Sequence, residues 1–145
     1  MSKEKLYIFD TTLRDGAQTQ GVDFSIDDKL KIAEALDNLG VDYIEGGWPG
    51  ANPTDTEFFQ KKINCKNSTI TAFGMTKKTG RSADNDPGLS ALINSNTKAV
   101  CIVGKSWDFH VDVALGISNE ENIENITEST KLFIKEKKEF MFDAE

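Results

Sequence analysis

The chain has 145 residues, 38% of them hydrophobic, with a formal charge of −7 and a pI near 4.8. That length suits one modest domain with a core of its own, and the net acidity argues against a nucleic-acid or anionic-membrane surface. No apolar run approaches the ~18 residues of a membrane span, Met1-Ser2-Lys3-Glu4-Lys5 shows no signal-peptide pattern, and Cys65 and Cys101 make no disulfide framework, so a cytoplasmic protein is expected.

Along the chain, short apolar runs alternate with segments of helical period. Leu6 to Phe9 reads as a strand. Ser25 and Asp28 form a capping box, Ile26, Leu30, Ala33 and Leu36 make the apolar face of the helix that follows, and Gly40 stops it. Val41 to Glu45 is a second strand. Thr54 and Glu57 are a second capping pair, for a helix that turns Phe58, Phe59 and Ile63 inward. Thr69 to Phe73 is a third strand, and Pro87 sits where a first helical residue often does. Ala99 to Val103 is a fourth strand, with Cys101 as a small core residue. Ser118 and Glu121 open the longest helix, with Ile123, Ile126, Thr130 and Phe133 in helical spacing. The charged run at 135 to 139 reads as its solvated end, and Glu139 to Phe142 is a fifth strand.

This alternation predicts an α/β fold with a parallel sheet and crossover helices. A doubly wound open sheet is complete at about 150 residues, whereas a (β/α)₈ barrel takes about 250. Polar and glycine residues follow every strand: Asp10 with Arg14 and Asp15, Glu45-Gly46-Gly47-Trp48, Gly74-Met75-Thr76, Gly104-Lys105-Ser106, and Asp143 with Glu145. Barrels carry their sites on that face, contributed by many strands; an open sheet concentrates them at one switch point. No phosphate-binding loop is present. The pattern favours a parallel (β/α) barrel of TIM type of which about the first half, four βα units and a fifth strand, is present.

The stretch FDTTLRDGAQTQG, residues 9 to 21, is far richer in charge than a connection needs. Asp15 is a hard oxygen donor suited to a divalent ion. Arg14 offers a planar fork for a carboxylate or a developing enolate oxygen. Glu45, one strand over, is placed to hold that fork, and Gln18 and Gln20 add neutral hydrogen-bonding groups. Together these suit a small anionic substrate held on a metal. On the alternative reading, Asp10 and Asp15 satisfy loop amides and Arg14 pairs with one of them.

DTTLRDGAQ at 10 to 18 resembles the first-strand motif of the metal-dependent barrels that include 2-isopropylmalate synthase, homocitrate synthase, citramalate synthase and hydroxymethylglutaryl-CoA lyase. YIEGGWPGANPTD at 43 to 55 and AFGMTKK at 72 to 78 are most similar to the citramalate synthase branch. The resemblance covers the whole chain as the amino-terminal part of a catalytic barrel domain, residues 1–145. It implies that Asp15 is the metal ligand, that Arg14 faces the keto-acid and enolate oxygens, that Glu45 orients Arg14, and that Glu145 is a carboxylate at the substrate. It also implies Mg²⁺, Mn²⁺ or Zn²⁺, acetyl-CoA as co-substrate, a 2-oxo acid acceptor, and a homodimer. The reaction would be a Claisen-type condensation, giving citramalate from pyruvate, with the 2-isopropylmalate or homocitrate reaction, a lyase reaction, and a non-catalytic self-associating half-barrel as alternatives.

The family completes its metal site with a His-x-His pair, and this chain has one histidine, His110. The resemblance therefore implies a fragment lacking part of the metal site and inactive alone. His110 and Thr76 are candidate substrate-binding residues with Arg14 and Gln18, His110 being set against the reading as a hydrogen-bonded loop histidine; Met75 is placed to shape the acceptor pocket, and Trp48 and Trp107 either line it or pack between strand ends and helices. Lys77, Lys78 and Arg81 are candidates for CoA phosphates, set against the ordinary state of basic loop residues, which is solvated.

Overall fold

The computed structural model describes residues 4–145, so Met1, Ser2 and Lys3 of the leader reading lie outside the described residues. Five parallel strands, β1 (Phe9–Asp10), β2 (Tyr43–Gly47), β3 (Thr69–Met75), β4 (Ala99–Gly104) and β5 (Glu139–Ala144), stand in the sheet in the order of the chain. Each pairs only with its neighbours in sequence. A doubly wound sheet reverses its strand order at a switch point; this sheet has no reversal, as in a barrel. It is also curled. Tyr43 Oη on β2 donates to Glu139 Oε1 on β5 at 2.5 Å, although a flat sheet would hold those strands about 14 Å apart. The predicted half-barrel is what the chain forms.

The crossovers are α1 (Ile26–Leu39), α2 (Pro53–Gln60), α3 (Pro87–Ile93), α4 (Asp108–His110), which runs into a π-helical turn at Val111–Leu115, and α5 (Asn119–Lys135). The capping boxes at Ser25/Asp28 and Ser118/Glu121 both form, and Gly40 ends α1 in the left-handed conformation, φ +88°. The core lies between sheet and helices: Ile44, Ala72, Val100 and Ile102 meet Phe58, Leu89, Leu92 and Phe133. Each of those large side chains is completely buried, worth about 2 kcal/mol apiece. Alternate strand residues, Glu45, Thr71, Phe73 and Cys101, turn into the barrel interior and are also buried.

Five expectations need correction. β1 begins at Phe9, and Leu6, Tyr7 and Ile8 are exposed, because no strand covers that edge. α2 is capped by Asn52, whose side chain accepts from Asp55 N, with Pro53 at the first helical position; an Asn-Pro start outcompetes Thr54/Glu57. Ile63 follows the end of that helix, half-buried against the core. On α5 the buried residues are Asn122, Asn125, Ser129, Leu132 and Phe133, while Ile123 is 62% exposed. Its amino-terminal half lies against loops whose carbonyls and hydroxyls want partners: Asn122 Nδ2 bonds Lys105 O at 2.8 Å and Asn125 Nδ2 bonds Thr79 Oγ1 at 2.7 Å. Within the charged run, Lys138 is half-buried; burial pushes its ammonium down, and Nζ donates to Thr97 O at 2.6 Å.

Candidate active site

The carboxyl end of β1 leads into a tight loop in which the amides of Arg14, Asp15 and Gly16 all point to Thr11 O. Asp10 accepts from Thr12 N at 2.9 Å and Thr12 Oγ1 at 3.1 Å. This first acid therefore serves the loop, as the alternative reading had it. Leu13 is fully buried and anchors the loop in the core, which turns Arg14 back over the barrel interior.

There Arg14 Nε donates to Glu45 Oε2 at 2.7 Å and Nη1 donates to Asp15 Oδ1 at 3.1 Å. The guanidinium also lies over Phe73, with Cζ 3.9 Å from the ring centroid. Phe73 is braced edge-on by Trp48, at 5.4 Å between centroids. Glu45 is 1% exposed. Its burial raises the carboxyl above its ordinary value; the Arg14 bond works the other way, and Asp143 and Asp15 add to the rise. Asp15 differs sharply: its side chain is 61% exposed at the mouth of the barrel.

A bulge between Glu45 and Gly47 shapes this corner. A Cβ on Gly46 would stand 2.5 Å from Phe58 Cε1, so the glycine lets α2 close onto β2. Gly47 has φ +143°, and a Cβ there would strike the Asp55 carboxylate. That carboxylate bonds Trp48 N at 2.9 Å and the buried Lys29 ammonium. The bulge thus fixes Trp48 behind Phe73.

Glu145, just beyond β5, is held by Lys105 Nζ at 2.7 Å. That bond keeps its carboxyl below the usual range, with smaller help from His110 and Arg14. His110 is half-buried at the end of α4, its ring 4.6 Å from that of Trp107, and its Nδ1 is buried with no hydrogen-bond partner among the described residues. Gln18 lies exposed in the turn after Asp15. Thr76 lies off this corner, on a cavity of about 510 Å³ lined by Trp48, Met75, Lys78, Arg81 and Leu115 among others. Lys77 also lines it but is not free for an anion: it is 5% exposed, with Nζ bonded to Arg81 O at 2.9 Å and paired with Glu128 at 3.1 Å. Trp107 is 55% exposed and does not line this cavity.

The structure thus brings Arg14, Asp15 and Glu45 into one hydrogen-bonded group and sets Glu145 and His110 nearby across the barrel mouth. It leaves Gln18 and Thr76 at the margins. Sequence reasoning missed Phe73, Asp55 and the link from Lys105 to Glu145. Phe73 had a signal, since it falls on the same strand face as Thr71; the other two partners come from distant segments. Among the described residues no group of three His, Cys, Asp or Glu side chains stands ready to hold a metal. Cys101, buried beside Glu45, has its thiol pushed up to about 12 by burial. No helix of the described residues is long and apolar enough to cross a membrane.

Residues 5–145 match the family described as HMGL-like. The chain is 51% identical over 144 residues to the (R)-citramalate synthase of Aquifex aeolicus, covering 98% of this chain and 27% of that protein. It is 36% identical to 2-isopropylmalate synthase 1 of Caldanaerobacter subterraneus, over 100% of this chain and 36% of the relative. The chain therefore spans about a quarter to a third of the length of the relatives it matches. Its fold matches the hydroxymethylglutaryl-CoA lyase of Pseudomonas aeruginosa with a TM-score of 0.73, at 18% identity over 95% of this chain and 45% of that one.

Proposed function

The chain belongs to the HMGL-like family, and from that premise we propose that residues 1–145 are the amino-terminal part of a catalytic barrel that condenses acetyl-CoA with a 2-oxo acid, pyruvate giving citramalate. The observation that carries this reading is the clamped Arg14, set at the barrel mouth beside an exposed Asp15, in a chain 51% identical to an (R)-citramalate synthase.

In such a condensation the acetyl methyl loses a proton, the resulting carbanion adds to the keto carbon, and water cleaves the thioester. Negative charge builds on the enolate oxygen and then on the former keto oxygen. Preorganised donors aimed at such oxygens are worth roughly 3–4 kcal/mol each in a dry site. Arg14 is that donor; its Nη2 has no protein partner among the described residues. Glu45, ionised, keeps the fork pointed at the substrate. Glu145, kept anionic by Lys105, is a second carboxylate on the same mouth, available to orient or move a proton. Gln18, Thr76 and His110 are proposed contacts of the substrates, and the exposed Lys78 and Arg81 beside the cavity suit the CoA phosphates.

The family resemblance calls for a divalent ion, Mg²⁺, Mn²⁺ or Zn²⁺. The residues present do not fit one by themselves: Asp15 is a single hard donor already bonded to Arg14, and no three-ligand group accompanies it among the described residues. The chain's own residues bind and orient, and loss of activity in isolation is the expected consequence. The 2-isopropylmalate reaction is the second reading, supported by the 36% identical relative. A cytoplasmic homodimer remains the proposed setting.

The test is a chimera in which residues 1–145 replace the matching segment of the Aquifex aeolicus relative, assayed for free CoA thiol against a panel of 2-oxo acids. Turnover with pyruvate, falling at least a hundredfold in D15N and R14K, is expected. A chimera that folds but turns over none of the panel, or is indifferent to both substitutions, overturns the reading.

A further inference from the structure

We propose that Phe73 is the positioning residue that sets the plane of the Arg14 guanidinium, with Trp48 as its brace. The two carboxylates on Arg14, Glu45 at Nε and Asp15 at Nη1, lie 2.7 and 3.1 Å away. Two hydrogen bonds define a line, and a planar group held only along a line still rocks about it. A third contact out of that line is needed to fix the tilt, and the ring of Phe73 supplies it, 3.9 Å below Cζ. The negative face of the ring attracts the cation in a site already shielded from water: Phe73 is 5% exposed and the Arg14 side chain 16%. The ring itself cannot swing aside, because it stands on β3 with Trp48 packed edge-on at 83°. Trp48 is in turn pinned through its amide by Asp55, which the buried Lys29 ammonium holds. A chain of contacts therefore runs from α1 and α2 through Trp48 and Phe73 to the one face of Arg14 that no carboxylate controls. What remains without a partner among the described residues is the Nη2 edge.

The catalytic consequence rests on the proposed role of Arg14; the geometry does not, and the two can be tested separately. The chain contains two arginines, Arg14 and Arg81, so the side-chain Nε–Hε region of a ¹⁵N-labelled sample holds two signals, assigned by R81K. Three results are expected from residues 1–145. Arg14 side-chain protons lie upfield by ring current and show contacts to the Phe73 ring in wild type. F73L removes the upfield shift, and F73Y, which keeps the ring face, retains it. In the chimera, F73L raises the pyruvate KM about tenfold, from the loss of a partly desolvated cation–ring contact, with kcat changed less, and F73Y restores it. The wild-type contacts need no variant, so the proposal stays testable if F73L unfolds. Absence of ring contacts in wild type, or F73Y behaving as F73L, overturns it. An inactive chimera in which the ring contacts persist overturns the synthase reading and upholds the positioning role.

Discussion

At the scale of single residues, two buried acids show opposite settings of the same group. Asp37 is 3% exposed yet accepts three backbone amides, Lys66 N at 2.9 Å and Asn67 N and Ser68 N at 2.7 Å each; these hold its carboxyl below 3.8. Glu45 has one strong partner, and burial wins, raising it above 4.5. The signs follow from proton linkage. Asp37 binds its proton less readily when folded, so the stability it adds is present above pH 3.8 and is lost as pH falls through its lower folded value. Glu45 binds its proton more readily when folded, so stability falls as pH rises from 4.5 through the raised value. Relative to E45Q, wild type should lose stability over that upper window, read from urea midpoints at successive pH values; a flat difference contradicts the assignment. The same substitution should weaken pyruvate binding in the chimera at neutral pH, because a neutral amide cannot anchor Arg14 as an anion does. In D37N one acceptor oxygen remains, which can keep Asn67 N and Ser68 N but leaves Lys66 N facing an NH2 group, so the urea midpoint should fall by the equivalent of about 2 kcal/mol. That Arg14, Asp15 and Glu45 would meet was legible from charge crowded at the strand ends together with the DTTLRDGAQ resemblance; crowding alone did not separate them from Asp10, which serves its own loop. Asp37 was not, since nothing near it in the chain indicates amides some 30 positions away.

At the scale of elements, the legible features were those whose partners are local. Ser25 with Asp28 and Ser118 with Glu121 close their boxes within one turn, so spacing alone identified them. The stripe of α5 failed for the converse reason: Asn122 and Asn125 are buried to serve Lys105 O and Thr79 Oγ1, and apolar periodicity carries no record of a distant acceptor. The strand β1 came out shorter than read because an extended run becomes a strand only where a neighbour pairs with it. These differences separate two kinds of substitution. S25A removes a cap and should cost about 1 kcal/mol, with the sheet undisturbed. G46A should cost more, about 1–3 kcal/mol, since its methyl would sit 2.5 Å from Phe58 Cε1 and drive α2 off the bulge. It should also broaden the Trp48 indole signal, while S25A leaves that signal unchanged. Equal midpoints for the two variants in urea, with an undisturbed indole, would contradict the close packing of α2 on β2.

At the scale of the whole molecule, the curl decides what surface is left. Tyr43 bonds Glu139 across the base of the sheet, which pushes its phenol up to about 12, yet β1 and β5 remain edges without partners among the described residues. Beside β1 stand Leu6 at 84%, Tyr7 at 57% and Ile8 at 53% exposure, and Phe142 on β5 is 37% exposed. Unpaired strand edges with apolar flanks are templates for pairing. Residues 1–145 alone should therefore self-associate as concentration rises, and sedimentation should show the mean mass climbing above 16.1 kDa. Ile8 is the place to intervene: its carbonyl already receives the amides of Asp42 and Tyr43, so its side chain can change without loss of that bond. I8K puts a charge on the edge and should shift association to higher concentration while leaving the thermal midpoint nearly unchanged, because surface changes away from core and caps cost little. Y43F acts on the other variable, removing the cross-sheet bond, and should lower the stability by the ~1 kcal/mol of a lost hydrogen bond, and the thermal midpoint with it, without relieving association. If I8K associates as strongly as wild type, the edge at β1 is not the contact, and the exposed face of β5 becomes the surface to charge next.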